Sequence, residues 1–353
     1  METRLLPTDP AEAMRSSVAE AVTVLKRGDV VALPTETVYG LAGDITSPKA
    51  IARIFEAKER PSFDPLIIHI PRKESLYEVA VVDDATDNLL RKLMQAFWPG
   101  PLTFILPKHP DVSDAITAGL PTVAVRMTSD PVFKRVLHEL GRPLAAPSAN
   151  RFGRISPTSA SAALEELDGR IPLVLDGGAC SAGLESTILK FELTEGKPLF
   201  HILRHGPVTA EDLKPIGKIV KKRKPSLHTK VKEDAAPVLE APGQTDSHYA
   251  PVTPLRLLSD PSEFQPEEGK RYALLSYRGL EDDGYIGLTE FVETFTLSPG
   301  SGKVPEAAVR LFFVMRQADQ LGVDEIIAEP VPEHSIGSAI MDRLRRAAIP
   351  ATD

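Results

Sequence analysis

The chain has 353 residues, a formal net charge of −8, one cysteine, and 32 prolines against 23 glycines. That length sets two domains as the expectation, and the acidic balance argues against a whole-surface nucleic-acid binder, which needs clustered cations to meet phosphates. Cys180 alone cannot form an internal disulfide framework or a cysteine metal cluster, and no stretch reaches the ~18 apolar residues of a membrane helix. The N-terminal segment mixes acids with apolar residues and has no long apolar run, so a secretory leader is not expected and the chain reads as soluble and cytoplasmic. The prolines are scattered rather than periodic, which points to fixed turns and stiff connections.

In residues 11–27, Ala13, Val18, Ala21, Val22 and Leu25 recur at helical spacing, and Gly28 supplies the stop. VVALP follows as a short buried strand, then TETVYGLAGD as a turn-like segment. Residues 48–58 read as a helix with Pro48 in its first turn. LIIHI is a buried strand interrupted by His69. Residues 84–97 form a helix stopped by WPGP. LTFILP and TVAVRM are strands, 131–141 a helix, and PLAAPSAN a strand running into a turn. Residues 158–169 are helical, PLVLDGG is a strand, and STILKFEL with LFHILRHG reads as paired strands. Helices and strands alternate without a strict rhythm, as in an open, twisted, mixed-sheet α/β domain over 10–212.

Composition shifts near residue 214 to a lysine-rich and then acidic, proline-containing stretch, so 213–253 reads as a linker ending in SHYAP. Order resumes over 254–353. PLRLL, RYALLSY and DEIIAEP are strands, and 304–322 and 336–348 are helices. This is a smaller Rossmann-like α/β layer without the GxGxxG phosphate turn, so dinucleotide binding is not indicated.

No P-loop, GxSxG elbow, HExxH pair or HxH spacing is present. What remains is a set of strand-end segments rich in hydroxyls, glycine and cations. Thr35 and Thr37 follow a buried strand, where α/β sheets meet ligands, although capping threonines would look the same. Lys58, Arg60 and Asp64 sit in a loop stiffened by Pro61 and Pro65; an isolated pair of cations there is equally a solvated helix end. His69 in an apolar strand is more often a core residue than a ligand contact. Arg126 among apolar residues needs a counter-charge, either a protein acid or a bound carboxylate or phosphate. Thr122 precedes it on the same strand. Ala146, Ser148 and Ser156 offer small residues and hydroxyls, Ser186 begins a strand, and Arg204 is a cation at a strand end. Taken together, they describe a site for a phosphate-rich small molecule.

In order along the chain, PTETVYGL, KxRPxxxPLIIHI, FWPGPLTFIL, TVAVRM, AAPSAN, DGG, ESTI and LRxGPVT resemble the YrdC-like domain of the threonylcarbamoyl-AMP synthase family. SHYAP and IGSAIMDRLRRAA resemble the linker and C-terminal domain of its two-domain form. The resemblance implies that L-threonine, bicarbonate and ATP, with Mg2+, give threonylcarbamoyl-AMP and pyrophosphate, and that a separate transferase complex passes the group to tRNA. It implies that Thr37, His69, Arg126, Ala146 and Ser186 contact threonine. Arg60, Thr122, Ser148, Ser156 and Arg204 would hold the nucleotide, Lys58 would belong to the same cationic motif, and Tyr249, with His248, would close over it. Asp64 departs from the family's usual Asn. An ionised Asp would repel a phosphate, so it either faces a cation or Mg2+, or that contact is lost. The alternative expectation is an RNA-binding YrdC-like module without adenylate synthesis, which the net charge of −8 weighs against.

Overall fold

The structure is a computed structural model that describes residues 2–220, 240–243 and 248–349. Much of the expected linker, including the basic run, lies outside the described residues. The first part of the chain contains β1 (Arg4–Pro7), α1 (Ala11–Lys26), β2 (Val31–Leu33), β3 (Gly40–Asp44), α2 (Pro48–Lys58), β4 (Ile67–His69), α3 (Leu76–Val79), α4 (Asp84–Phe97) and β5 (Leu102–Pro107). It continues through α5 (Asp114–Thr117), β6 (Thr122–Arg126), α6 (Pro131–Leu140), β7 (Leu144–Ala145), α7 (Ala160–Leu167), β8 (Leu173–Asp176), β9 (Thr187–Thr194), β10 (Lys197–Arg204), α8 (Ala210–Leu213) and β11 (Lys218–Ile219). The second part contains β12 (Leu255–Leu257), β13 (Tyr272–Ser276), β14 (Glu293–Thr296), α9 (Val304–Asp319), β15 (Glu325–Ala328) and α10 (Gly337–Ala347).

Among the described residues, eleven strands form one mixed sheet in the order β1-β8-β2-β3-β7-β4-β6-β5-β9-β10-β11, and four parallel strands form a smaller sheet, β12-β15-β13-β14. This is the two-part α/β architecture expected. The helices start where their caps dictate. Asp83 accepts from Thr86 N at α4, and Asp130 accepts from the N–H groups of Val132 and Phe133 at α6, whose end is closed by Gly141 at φ +72°.

TETVYGLAGD is not simply a turn, because its second half is the fully buried strand β3, antiparallel to β2. Its glycines serve close packing. A Cβ on Gly43 would stand 3.1 Å from Ile54 Cδ1 and 3.3 Å from Ala50 Cβ, so α2 could not lie this close to a bulkier strand. The edge strand β1 and the short β14 carry too little apolar pattern to be read in advance.

The large sheet buries both faces. Ile68, Val123, Val125 and Phe104 join Leu90 and Leu93 of α4 on one side. Val31, Leu33 and Leu175 meet α1 and α6 through Val18, Val22, Phe133 and Val136 on the other. Strand alternation therefore turns Ile67 and His69 of β4, and Thr122, Ala124 and Arg126 of β6, away from the main core. Cys180 is buried at the edge of that core.

The two parts share one apolar cluster in which Val38, Ile155 and Leu184 pack with Leu311, Phe312 and Met315 of α9. Arg316 donates to Glu166 Oε1 at 3.0 Å and to Ile155 O at 2.9 Å. Asp319 accepts from the N–H groups of Val252 and Thr253 and pairs with Arg154. Gly183 marks the tightest approach: at φ +71°, its added Cβ would stand 2.4 Å from Val309 Cα. Gly183→Ala is expected to lower unfolding free energy by about 2–4 kcal/mol, because strained backbone and overpacking add. Urea unfolding checks this, and an unchanged midpoint would mean that the contact yields.

Candidate active site

Between the sheet face carrying His69 and Arg126 and the segment around Tyr249 lies a polar cavity with about 40 Å³ of free volume. Ile67 lines it and packs in an apolar cluster with Ile105, Ala124, Ile188 and Ala241.

One end is built by strand register. His69 and Arg126 sit side by side on parallel β4 and β6. Arg126 donates to Thr37 Oγ1 at 2.9 Å and lies 2.9 Å from Glu36 Oε1. The Thr35 hydroxyl donates to Val38 O and receives Thr37 N–H, which folds the turn that presents Thr37. Thr128 donates to Glu36 Oε2 at 2.5 Å. Burial raises the Glu36 carboxyl, but Arg126 and Thr128 outweigh it and hold it below the usual carboxylate range. Arg126 therefore has a protein acid as partner through Nη2, while its Nε lacks a hydrogen-bond partner, as does His69 Nδ1. The His69 ring stacks on Phe133 at 4.8 Å. Ala146 and Ser148 complete this wall, with Ala146 N held by Ile67 O.

Arg60, Arg204 and Tyr249 form the other end. Arg60 donates to Asp64 O and Pro65 O, and its Nη2 lies 2.9 Å from Asp64 Oδ2. Asp64 is fully buried and faces this cation, and burial raises its carboxyl although Arg60 opposes the shift. A bulge in β10 between Ile202 and Arg204 lets Arg204 donate to Ser186 O and Oγ, both at 3.1 Å. Tyr249 is buried at φ +65°, a left-handed conformation that is costly for a bulky residue. Its ring stands 4.1 Å from His248 and 5.7 Å from Phe312, and its hydroxyl has no hydrogen-bond partner. Gly243, at φ +73°, brings the chain against Tyr249 Oη and Arg204.

Not every expected residue reaches the cavity wall. Lys58 is buried and spends its ammonium on Ser148 O and Asn150 O, bracing the Ser148 loop. The Ser186 hydroxyl lies between Thr103 and Arg204. Ser156 donates to Glu185, and Thr122 lies at the far end of β6 opposite Pro107. Glu36, Glu185 and Gly243 were not singled out in advance. Only the unpartnered charge of Arg126 hinted at the first of them.

Burial, with Arg126 adding, pushes the His69 imidazole down to about 3, and burial with Arg346 and Arg60 pushes His248 well down. The unfolded chain titrates both near 6.5 and takes up protons that the folded protein refuses. Stability therefore falls as pH drops below about 6.5, by up to about 1.4 kcal/mol per pH unit for each histidine. Asp130 acts oppositely. Burial raises its carboxyl to about 6, so its contribution is lost as pH rises through that value. Burial raises the Asp64 and Glu329 carboxyls as well, and both act in the same sense as Asp130, so the histidine part of the slope between pH 7 and pH 5 is read by variant rather than from the wild-type midpoint alone. His69→Gln should flatten that slope by about one proton; an unaltered slope would show His69 titrating normally.

Residues 23–206 match the Sua5/YciO/YrdC family model, described as telomere recombination. Residues 208–349 match the model described as the threonylcarbamoyl-AMP synthase C-terminal domain. A threonylcarbamoyl-AMP synthase of Pyrococcus abyssi is 38% identical over 341 residues, 93% of each chain. One of Bacillus subtilis is 36% identical over 353 residues, 97% of this chain and 95% of the relative. The crystal structure of P. abyssi Sua5 complexed with L-threonine matches with a TM-score of 0.80 at 35% identity, covering 98% of each chain. With both domain models matched and such relatives similar along nearly their full length, the chain belongs to the threonylcarbamoyl-AMP synthase family in its two-domain form.

Proposed function

We propose that this protein is a nucleotidyltransferase that makes threonylcarbamoyl-AMP and pyrophosphate from L-threonine, bicarbonate and ATP. The observation that carries the reading is one cavity with two unlike ends. At one, Arg126 keeps Nε without a hydrogen-bond partner beside the equally unpartnered His69 Nδ1, while its Nη2 is paired with Glu36. A carboxylate suits this arginine, and the amino acid's remaining polar groups suit His69 and Thr37. At the other, Arg60, Arg204 and the unpartnered Tyr249 hydroxyl suit a nucleotide.

The chemistry is attack of the threonine carbamate oxygen on the α-phosphorus, forming a P–O bond as pyrophosphate leaves. Positioning and charge stabilisation are what such transfers need, and no covalent nucleophile is required. His69 is held neutral, so it can meet threonine without adding a second charge beside Arg126. Tyr249 covers the cavity, and excluding water protects a labile acyl-adenylate. Among the described residues, no group of three or more His, Cys, Asp or Glu could hold a metal ion. Glu36, Asp64 and Glu185 are each paired with an arginine. We take Mg2+ to arrive with the substrate, as the counter-ion of the ATP phosphates.

No described helix is long and apolar enough to cross a membrane. We place the reaction in the cytoplasm, where a separate complex would carry the activated group to tRNA without this protein having to hold tRNA itself. Incubation with ATP, threonine and bicarbonate tests the reading. Pyrophosphate release should require both threonine and bicarbonate, and release indifferent to either one would overturn it.

A further inference from the structure

Glu185 stands in the cavity wall beside Arg204 and Tyr249, where a second substrate's phosphates would meet a negative charge. It is 5% exposed. Its carboxylate is turned by two donors from different domains. Ser156 donates to Oε1, and Arg343 of α10 donates to Oε2 from both Nε and Nη2 at 3.1 Å. The Arg343 side chain is completely buried, and its Nη1 is held at 2.8 Å by Asp342. The same guanidinium lies 5.1 Å from the Tyr249 ring centroid, and that of Arg346 lies 4.9 Å from it. Burial alone would raise the Glu185 carboxyl; Arg343 and Arg204 outweigh it and keep it below the ordinary range.

We infer that Arg343, from the C-terminal domain, is a positioning residue for the nucleotide end of the cavity, holding the Glu185 carboxylate back from the phosphates and supporting the Tyr249 ring over them. The inference rests on the reading of that end as the ATP site. It gives the second domain a specific part in the reaction: it supplies the counter-charge that makes an acid in the wall compatible with a polyanion. Arg343 reaches neither the threonine end nor Arg126, so its effect is selective for one substrate.

The test is pyrophosphate release by the full-length chain, with KM for ATP and for threonine measured separately. Arg343→Met should raise KM for ATP at least tenfold while KM for threonine moves less than about threefold, because an unpaired buried carboxylate then faces the phosphates. Arg343→Lys, which keeps the charge but loses the fork, should fall between. The double variant Arg343→Met with Glu185→Gln should recover most of the lost ATP affinity, which repair of folding alone would not confine to one substrate. Equal loss for both substrates, or no recovery in a double variant that unfolds cooperatively, would overturn the inference. Should Arg343→Met fail to fold, the same split in Arg343→Lys decides. A wild-type chain that releases no pyrophosphate would instead overturn the assigned reaction.

Discussion

Arg126→Ala should lower kcat/KM for threonine about 100-fold or more, since removing a buried partner of a carboxylate costs several kcal/mol. The same change should destabilise the fold by about 3–5 kcal/mol, because Glu36 is left buried without its cation. These two effects separate. Adding Glu36→Gln removes the orphaned charge and should return much of the stability, but it supplies no cation for the threonine carboxylate. Pyrophosphate release as a function of threonine, set beside urea unfolding, reads both. If the double variant regains its threonine response, Arg126 is only a brace for Glu36.

Tyr249→Ala is expected to reduce threonine- and bicarbonate-dependent synthesis about 10–100-fold, because the cover is lost and bound groups are no longer held in line. The ring packs against His248, Phe312 and two guanidinium groups, so about 3–5 kcal/mol of stability should go with it. Tyr249→Phe keeps the ring. Its missing hydroxyl has no protein partner to lose, so stability should stay within about 1 kcal/mol and any fall in rate isolates a contact with substrate. Normal synthesis by the alanine variant would remove Tyr249 from the site.

Where local chemistry decides the outcome, the sequence was readable. The helices read over 84–97 and 131–141 form as α4 and α6, and the apolar runs of β5 and β6 fall where read. β3 was not legible as a strand, because glycines required by α2 packing look the same in a sequence as glycines required by a turn. In the site, Arg126 was visible as a charge in an apolar strand, but its partner Glu36 lay inside a segment read as turn. Lys58 looked like a phosphate ligand because spacing cannot tell whether an ammonium faces a cavity or the carbonyls of Ser148 and Asn150. The Arg343–Glu185 pair joins positions 158 residues apart, and no local pattern announces such a contact.

The buried Cys180 has a practical consequence. It is the only thiol in the chain, and burial pushes its pKa up to about 12, so the native protein carries essentially no reactive thiolate at neutral pH. The folded molecule is thus expected to react slowly with alkylating dyes. A cysteine introduced at exposed Val252, next to the Tyr249 segment, would accept a single fluorophore without any prior cysteine removal. Slow labelling of Cys180 itself would count the rare openings of the core.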